Sequence, residues 1–167
     1  MLQQQKLVLG GVSAAAGFRY FRMHTTAVAA GPNISFVLTN FELRIDGVDQ
    51  IPSMTSNTAP SPVVISASKE SGGNSAFHAV DDNAGTFGWA ETNFSNPGFY
   101  QVDFGAGASV LPDTLAIKNH TTTANTSPTE FQLWGSNVTD FSVKTILTDQ
   151  TGLSWSAGET KTFSLSV

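Results

Sequence analysis

Apolar residues recur at every second position in a series of short runs. Phe41, Leu43 and Ile45 alternate with Glu42, Arg44 and Asp46, and Tyr100, Val102 and Phe104 alternate with Gln101 and Asp103. Leu115 and Ile117, then Phe131 and Leu133, continue the pattern, and Phe163, Leu165 and Val167 close it against Thr162, Ser164 and Ser166. A period of two with one apolar face predicts half-buried strands. Tyr20 to Thr26 reads as a further strand, in which His24 is an ordinary strand residue. Gly, Pro, Asn and Asp clusters separate the runs, as in an antiparallel sandwich or barrel. No long amphipathic helix is predicted; Ser75 to Val80 suits one helical turn. The Pro-, Ser- and Thr-rich stretch Gln50 to Pro62 reads as a linker-like loop. Phe18 to Asp49 is too short to hold a core alone, so the strands on both sides of that loop are expected to share one.

Composition narrows the picture. A chain of 167 residues suits one domain. Charged residues make up 13%, against about 25% in a typical domain, so the solvent face must be built from Ser, Thr, Asn, Gln and Gly. The formal charge is −5 and Lys and Arg do not cluster, which argues against a nucleic-acid partner. There is no Cys, which excludes disulfides, zinc knuckles and thiol catalysis. No apolar run approaches the ~18 residues of a membrane span. The segment Met1 to Gly17 faintly resembles a secretion signal, but Gly10 and Gly11 break its apolar stretch after Leu9. It reads better as residues 1–17, an arm for assembly, followed by a sandwich over residues 18–167. Five N-x-S/T sequons, at Asn33, Asn93, Asn119, Asn125 and Asn137, are a mild excess over chance and are not read as glycosylated.

The stretch Ser66 to Gly105 carries more specific information. Ala79, Asp81, Asn83, Thr86 and Trp89 follow the pattern A-x-D-G-N-x-x-T-x-W, with Asp82 in place of the Gly and Trp89 one residue late. Tyr100-Gln101-Val102-Asp103-Phe104-Gly105 follows as an aromatic-Q-hydrophobic-D-hydrophobic-G strand, and Phe131 to Asn137 ends in G-S-N. These motifs resemble the discoidin family, also called coagulation factor 5/8 type C domains, within the galactose-binding-like folds. That family's last two strands have their counterparts at the front of this chain, in Phe18-Arg19-Tyr20-Phe21-Arg22-Met23 and Phe41-Glu42-Leu43-Arg44-Ile45. The order resembles a circular permutation, which implies that Val167 and Phe18 lie close together. The resemblance implies an all-β, antiparallel jelly-roll β-sandwich, with Trp89 and Trp134 in its core.

The resemblance also implies a structural Ca²⁺ in the turn Val80 to Thr86. Its ligands would be the Asp81 carboxylate, the carbonyls of His78 and Asn83, and the hydroxyl and carbonyl of Thr86, with Glu42 closing the site. Such a hard cation takes 6–8 oxygens. The alternative is an Asx-type turn without metal, Asp81 accepting from local N–H groups. Ligand binding is expected in the loops at one end of the sandwich, at Ser68–Ser75, Trp89–Phe99 and Asn119–Ser127. Asn119, His120 and Asn125 offer amides and an imidazole for sugar hydroxyls, and Phe94 and Trp155 offer aromatic faces. No catalysis is expected: no G-x-S-x-G elbow exists, and the three His lack a nucleophile partner by motif.

Together with the resemblance, these readings lead to the expectation of a non-catalytic bacteriophage virion protein, located in the tail, baseplate or capsid decoration. Its partners would be other virion subunits, further copies of itself and a host glycan. The alternative is a carbohydrate-binding module of a bacterial surface or secreted protein.

Overall fold

The alternation in Tyr20 to Thr26 becomes the central strand of a sheet. In the computed structural model, residues 16–29, 36–70, 72–91 and 97–166 are described, with 89–91 by backbone alone. The strands are β1 (Tyr20–Val28), β2 (Phe36–Leu38), β3 (Asn40–Ile45), β4 (Val48–Asp49), β5 (Val64–Ala67), β6 (Gly88–Glu91), β7 (Gly98–Asp103), β8 (Thr114–Lys118), β9 (Pro128–Ser136), β10 (Thr145–Gln150) and β11 (Thr160–Ser164). The expected helical turn is a 3-10 turn at Ala76–Ala79.

Two antiparallel sheets form an all-β sandwich, one ordered β10-β9-β1-β7-β5 and the other β11-β8-β3-β4, with a small β2-β6 ladder beside them. Phe21 pairs with Val102 and Gly135, and Met23 with Tyr100 and Leu133. These residues face inward. In the opposite sheet Phe41 pairs with Ile117, and Leu43 and Phe163 both pair with Leu115. Aromatic pairs join the sheets. Phe41 meets Tyr100 with centroids 5.0 Å apart, and Phe131 meets Phe163 edge-on at 5.3 Å. Each such contact contributes ~0.5–1.5 kcal/mol beyond area burial. Gly135 has to be glycine, because a Cβ there would fall 2.5 Å from the Phe18 ring.

The stretch Gln50 to Pro62 differs from the linker reading. Ile51, Met54 and the following Val63 are buried in the core. The Asn57 amide donates to Glu70 and accepts from the backbone N–H of Phe77, so the segment is a packed strap under the 3-10 turn. Its polar composition hides two core residues spaced too widely for a strand pattern. Strands β2, β4, β5, β6 and β10 were also not foreseen. In β10 only Leu147 is buried, and a register shift between Ile146 and Thr148 breaks the alternation.

Most of the arm at 1–17 lies outside the described residues, as does Val167. Gly17 is clamped, its carbonyl accepting from the Asn137 amide. Phe18 exchanges backbone hydrogen bonds with Val110, and Leu165 donates to the carbonyl of Asp113. The two ends of the described sandwich therefore meet at the segment 110–113.

The fully buried Tyr100 donates its hydroxyl to the carbonyl of Ala76, 3.0 Å away, tying β7 to the 3-10 turn. Tyr100→Phe leaves that carbonyl short of a donor and should cost about 1–2 kcal/mol in urea unfolding. Asp49 accepts the N–H groups of Leu43 and Ile51, joining the β3–β4 hairpin to the strap. Burial pushes its carboxyl up from 3.8 to about 6. The folded state then holds a proton that the unfolded chain has released, so stability from this group is present below pH 3.8 and lost as pH rises through 6. Melting temperature followed between pH 4 and 6 should fall less in Asp49→Asn than in the native chain.

Candidate functional site

The turn after the 3-10 helix is built by its own side chains. The Asp81 carboxylate accepts the N–H of Asn83 at 2.9 Å, and the Asn83 side chain accepts the N–H of Gly85 at 3.0 Å. Two Asx turns in succession reverse the chain. Asp82 between them takes φ 56°, a left-handed conformation that Asp tolerates better than most residues. The second carboxylate oxygen of Asp81 lies 3.0 Å from Nδ1 of His78. The Thr86 hydroxyl faces three oxygens: both of Asp81, at 3.0 and 2.8 Å, and the carbonyl of Asn83, at 2.9 Å. A hydroxyl carries one proton, so it can satisfy only one of the three.

This crowding of Asp81, Asn83 and Thr86 oxygens suits a hard cation in donor type. Glu42, which was expected to close the site, is engaged elsewhere. The Glu42 carboxylate is held by the Asn40 amide and by an ion pair with Arg44. The His78 ring meets the Asp81 carboxylate through Nδ1. Among the described residues no three His, Cys, Asp or Glu side chains converge. The Asx-turn alternative describes the hydrogen bonds that Asp81 and Asn83 make within the turn. The Thr86–Asp81–His78 contacts are not a catalytic triad either, since the hydroxyl meets the carboxylate and not the imidazole.

The expected ligand residues scatter. Asn119 is fully buried, and its amide donates to the carbonyl of Ser156 at 2.8 Å. It pins the end of β8 to the loop before β11 and presents nothing to solvent. His120 packs edge-on to Phe87 at 4.8 Å, and its Nδ1 faces the N–H and hydroxyl of Thr122. Asn125 is exposed. The Trp155 indole donates to the carbonyl of Pro128 at 2.7 Å and packs on the core, with Lys161 over its ring. Phe94 and the Trp89 side chain lie outside the described residues. Trp134 is not core: it stands half-buried on the outer face of the five-stranded sheet, stacked on His24.

What the loop end does assemble is a recess of about 140 Å³ between the 81–86 turn and the ends of β3 and β8. Thr39, Asn40, Asp82, Asn83, Ala84 and Lys118 line it. Asn40 and Lys118 face each other across the β3–β8 ladder, so strand register places them. Lys118 makes no ion pair among the described residues, and the buried hydroxyl of Thr39 has no hydrogen-bond partner there. An ammonium, a carboxylate and two amides around a small hollow can both donate to and accept from a polyhydroxylated ligand. Their spacing along the chain gives no motif, which is why the linear reading passed over them.

Comparison with family models, with curated proteins and with solved structures finds no match for the chain.

Asp81→Ala removes acceptors of the Asn83 N–H and the Thr86 hydroxyl and should cost about 1–2 kcal/mol. A melting temperature that also rises with added Ca²⁺ in the native chain, and not in this variant, is the outcome expected of a cation held at Thr86.

Proposed function

We propose that this chain is a non-catalytic virion protein of a bacteriophage, a tail, baseplate or capsid-decoration component. Its discoidin-like jelly roll binds glycans of the host surface. The observation that carries the binding part is the loop-end recess, where Asp82, Asn83, Asn40 and Lys118 offer both senses of hydrogen bond to sugar hydroxyls. The motifs between Ser66 and Gly105 support the family reading. Meeting of the sandwich ends near Val110 supports the permuted order. Ca²⁺ bound by Asp81, Asn83 and Thr86 would hold the recess wall in place.

In this reading the arm over residues 1–17 docks on neighbouring virion subunits or on further copies of the chain, and the protein belongs to the particle, outside the host after lysis. A carbohydrate-binding module of a bacterial surface or secreted protein would use the same recess and differ in its neighbours.

A glycan array probed with the purified chain, with Ca²⁺ and with chelator, tests the reading. Binding that falls at least about tenfold in Lys118→Ala and Asp82→Ala, each still folded by circular dichroism, is expected from the loss of charged hydrogen bonds. A folded chain that retains no glycan removes the adhesion role and leaves a structural virion part.

A further inference from the structure

The outer face of the five-stranded sheet carries chemistry that neither the core nor the loop-end recess uses. Side chains of β1 and β9 that point away from the core form it. Arg22 pairs with Trp134 and Gln101 across the sheet, and His24 with Gln132 and Phe99. His24 and Trp134 stack at 4.4 Å with their rings 20° from parallel. Stacking occupies one face of the imidazole, and no hydrogen bond of its ring nitrogens exists among the described residues. Burial, then the charges of Arg22 and Lys144, hold its pKa below the ordinary 6.5, so the ring is neutral and can both donate and accept at pH 7.

Beside this pair runs a groove of about 210 Å³, lined by His24, Thr26, Glu130, Gln132, Trp134 and Asp149 among others. A relay fixes its wall. The Trp134 indole donates to Oε1 of Gln132 at 2.9 Å, and Nε2 of Gln132 donates to Asp149 at 2.7 Å. Both ends of the amide are thus committed, and its orientation follows. Glu130 to Trp134 spans ~13 Å at ~3.3 Å per residue, a length that suits more than one sugar ring. No Lys or Arg lines the groove, while two carboxylates do.

We infer that this groove is a second ligand site, taking an uncharged oligosaccharide chain along β9. Sugar C–H surface would lie on the His24 imidazole, and hydroxyls would donate to Glu130 and Asp149. Of the charged side chains at the groove, Glu130 and Asp149 line it and disfavour acidic sugars by like charge, while Lys144 sits over the Trp134 ring at 4.6 Å. All of its lining residues but Thr151 lie on β1, β9 and β10, where sheet register holds them, and none of them lines the recess.

The test is a titration of the ¹⁵N-labelled chain with neutral oligosaccharides, maltohexaose and the fully N-acetylated chitotetraose, and with tetragalacturonic acid, following backbone amide shifts. Expected are shifts centred on His24, Gln132 and Asp149 with a neutral chain and none with the acidic one. His24→Ala and Asp149→Asn, both at solvent-facing positions, should each weaken binding about tenfold, while Lys118→Ala leaves these shifts intact. Shifts confined to Asn40, Asn83 and Lys118 would overturn the second site and leave the recess standing. Shifts on β9 that survive both His24→Ala and Asp149→Asn, or no shifts on β9 with either neutral chain, would also overturn it.

Discussion

The structure depends on β1 lying between β7 and β9. Its partners come from far along the chain: Phe21 faces Val102 on one side and Gly135 on the other. Registration there is strict, because side chains alternate faces and a slip of one residue would bury Arg22 and His24 and expose Phe21 and Met23. With that register set, Met23 and Tyr100 meet inside, Phe41 can reach Tyr100 from the facing sheet, and the two layers close. Contacts of such sequence separation reward the chain only after a long loop is closed.

The same register arranges the outside. Arg22 lies between the rings of Phe99 and Phe141, 4.4 and 4.2 Å from their centroids, and forks two N–H groups onto the Gln101 amide oxygen. Phe141 comes from the loop after β9 and holds φ 56°, a costly conformation for a phenylalanine. Burial of its ring against Tyr20, Trp134 and Arg22 offsets that cost. Ser136 anchors the loop, accepting from the N–H of Val138 and donating toward the carbonyl of Val143 or of Val138. The outer face is therefore a second, thinner packing layer at one end and an open groove at the other. The loop end of the sandwich is different in kind. Asx turns and buried amides such as Asn119 order it, and all residues lining its recess but Ala84 carry polar side chains.

Alternation in Tyr20–Thr26, Phe41–Ile45, Tyr100–Phe104 and Phe131–Leu133 was enough to read an antiparallel all-β fold, since a period of two with one apolar face has few other solutions. The 3-10 turn at Ala76–Ala79 and the oxygen-rich turn at Asp81 were legible for the same reason: they are made by neighbours in sequence. Asn119 was misjudged because a Thr- and Asn-rich run looks solvated, and only the position of the Ser156 carbonyl gives its amide a buried partner. Trp134 was taken for core because tryptophan is usually buried, yet its parity in β9 opposes that of Phe131 and Leu133 and points it outward.

Local order thus belongs to the chain itself: strand periods, Asx turns, the polar surface and the absence of thiol chemistry all follow from residue type and spacing. Which strands become neighbours does not, because β1 has no local signal for choosing β7 and β9 over other apolar strands. That choice places Asn40 opposite Lys118, stacks His24 on Trp134 and brings Asp149 to Gln132. Both the recess and the groove are therefore products of long-range register, and packing of the two sheets against each other decides that register.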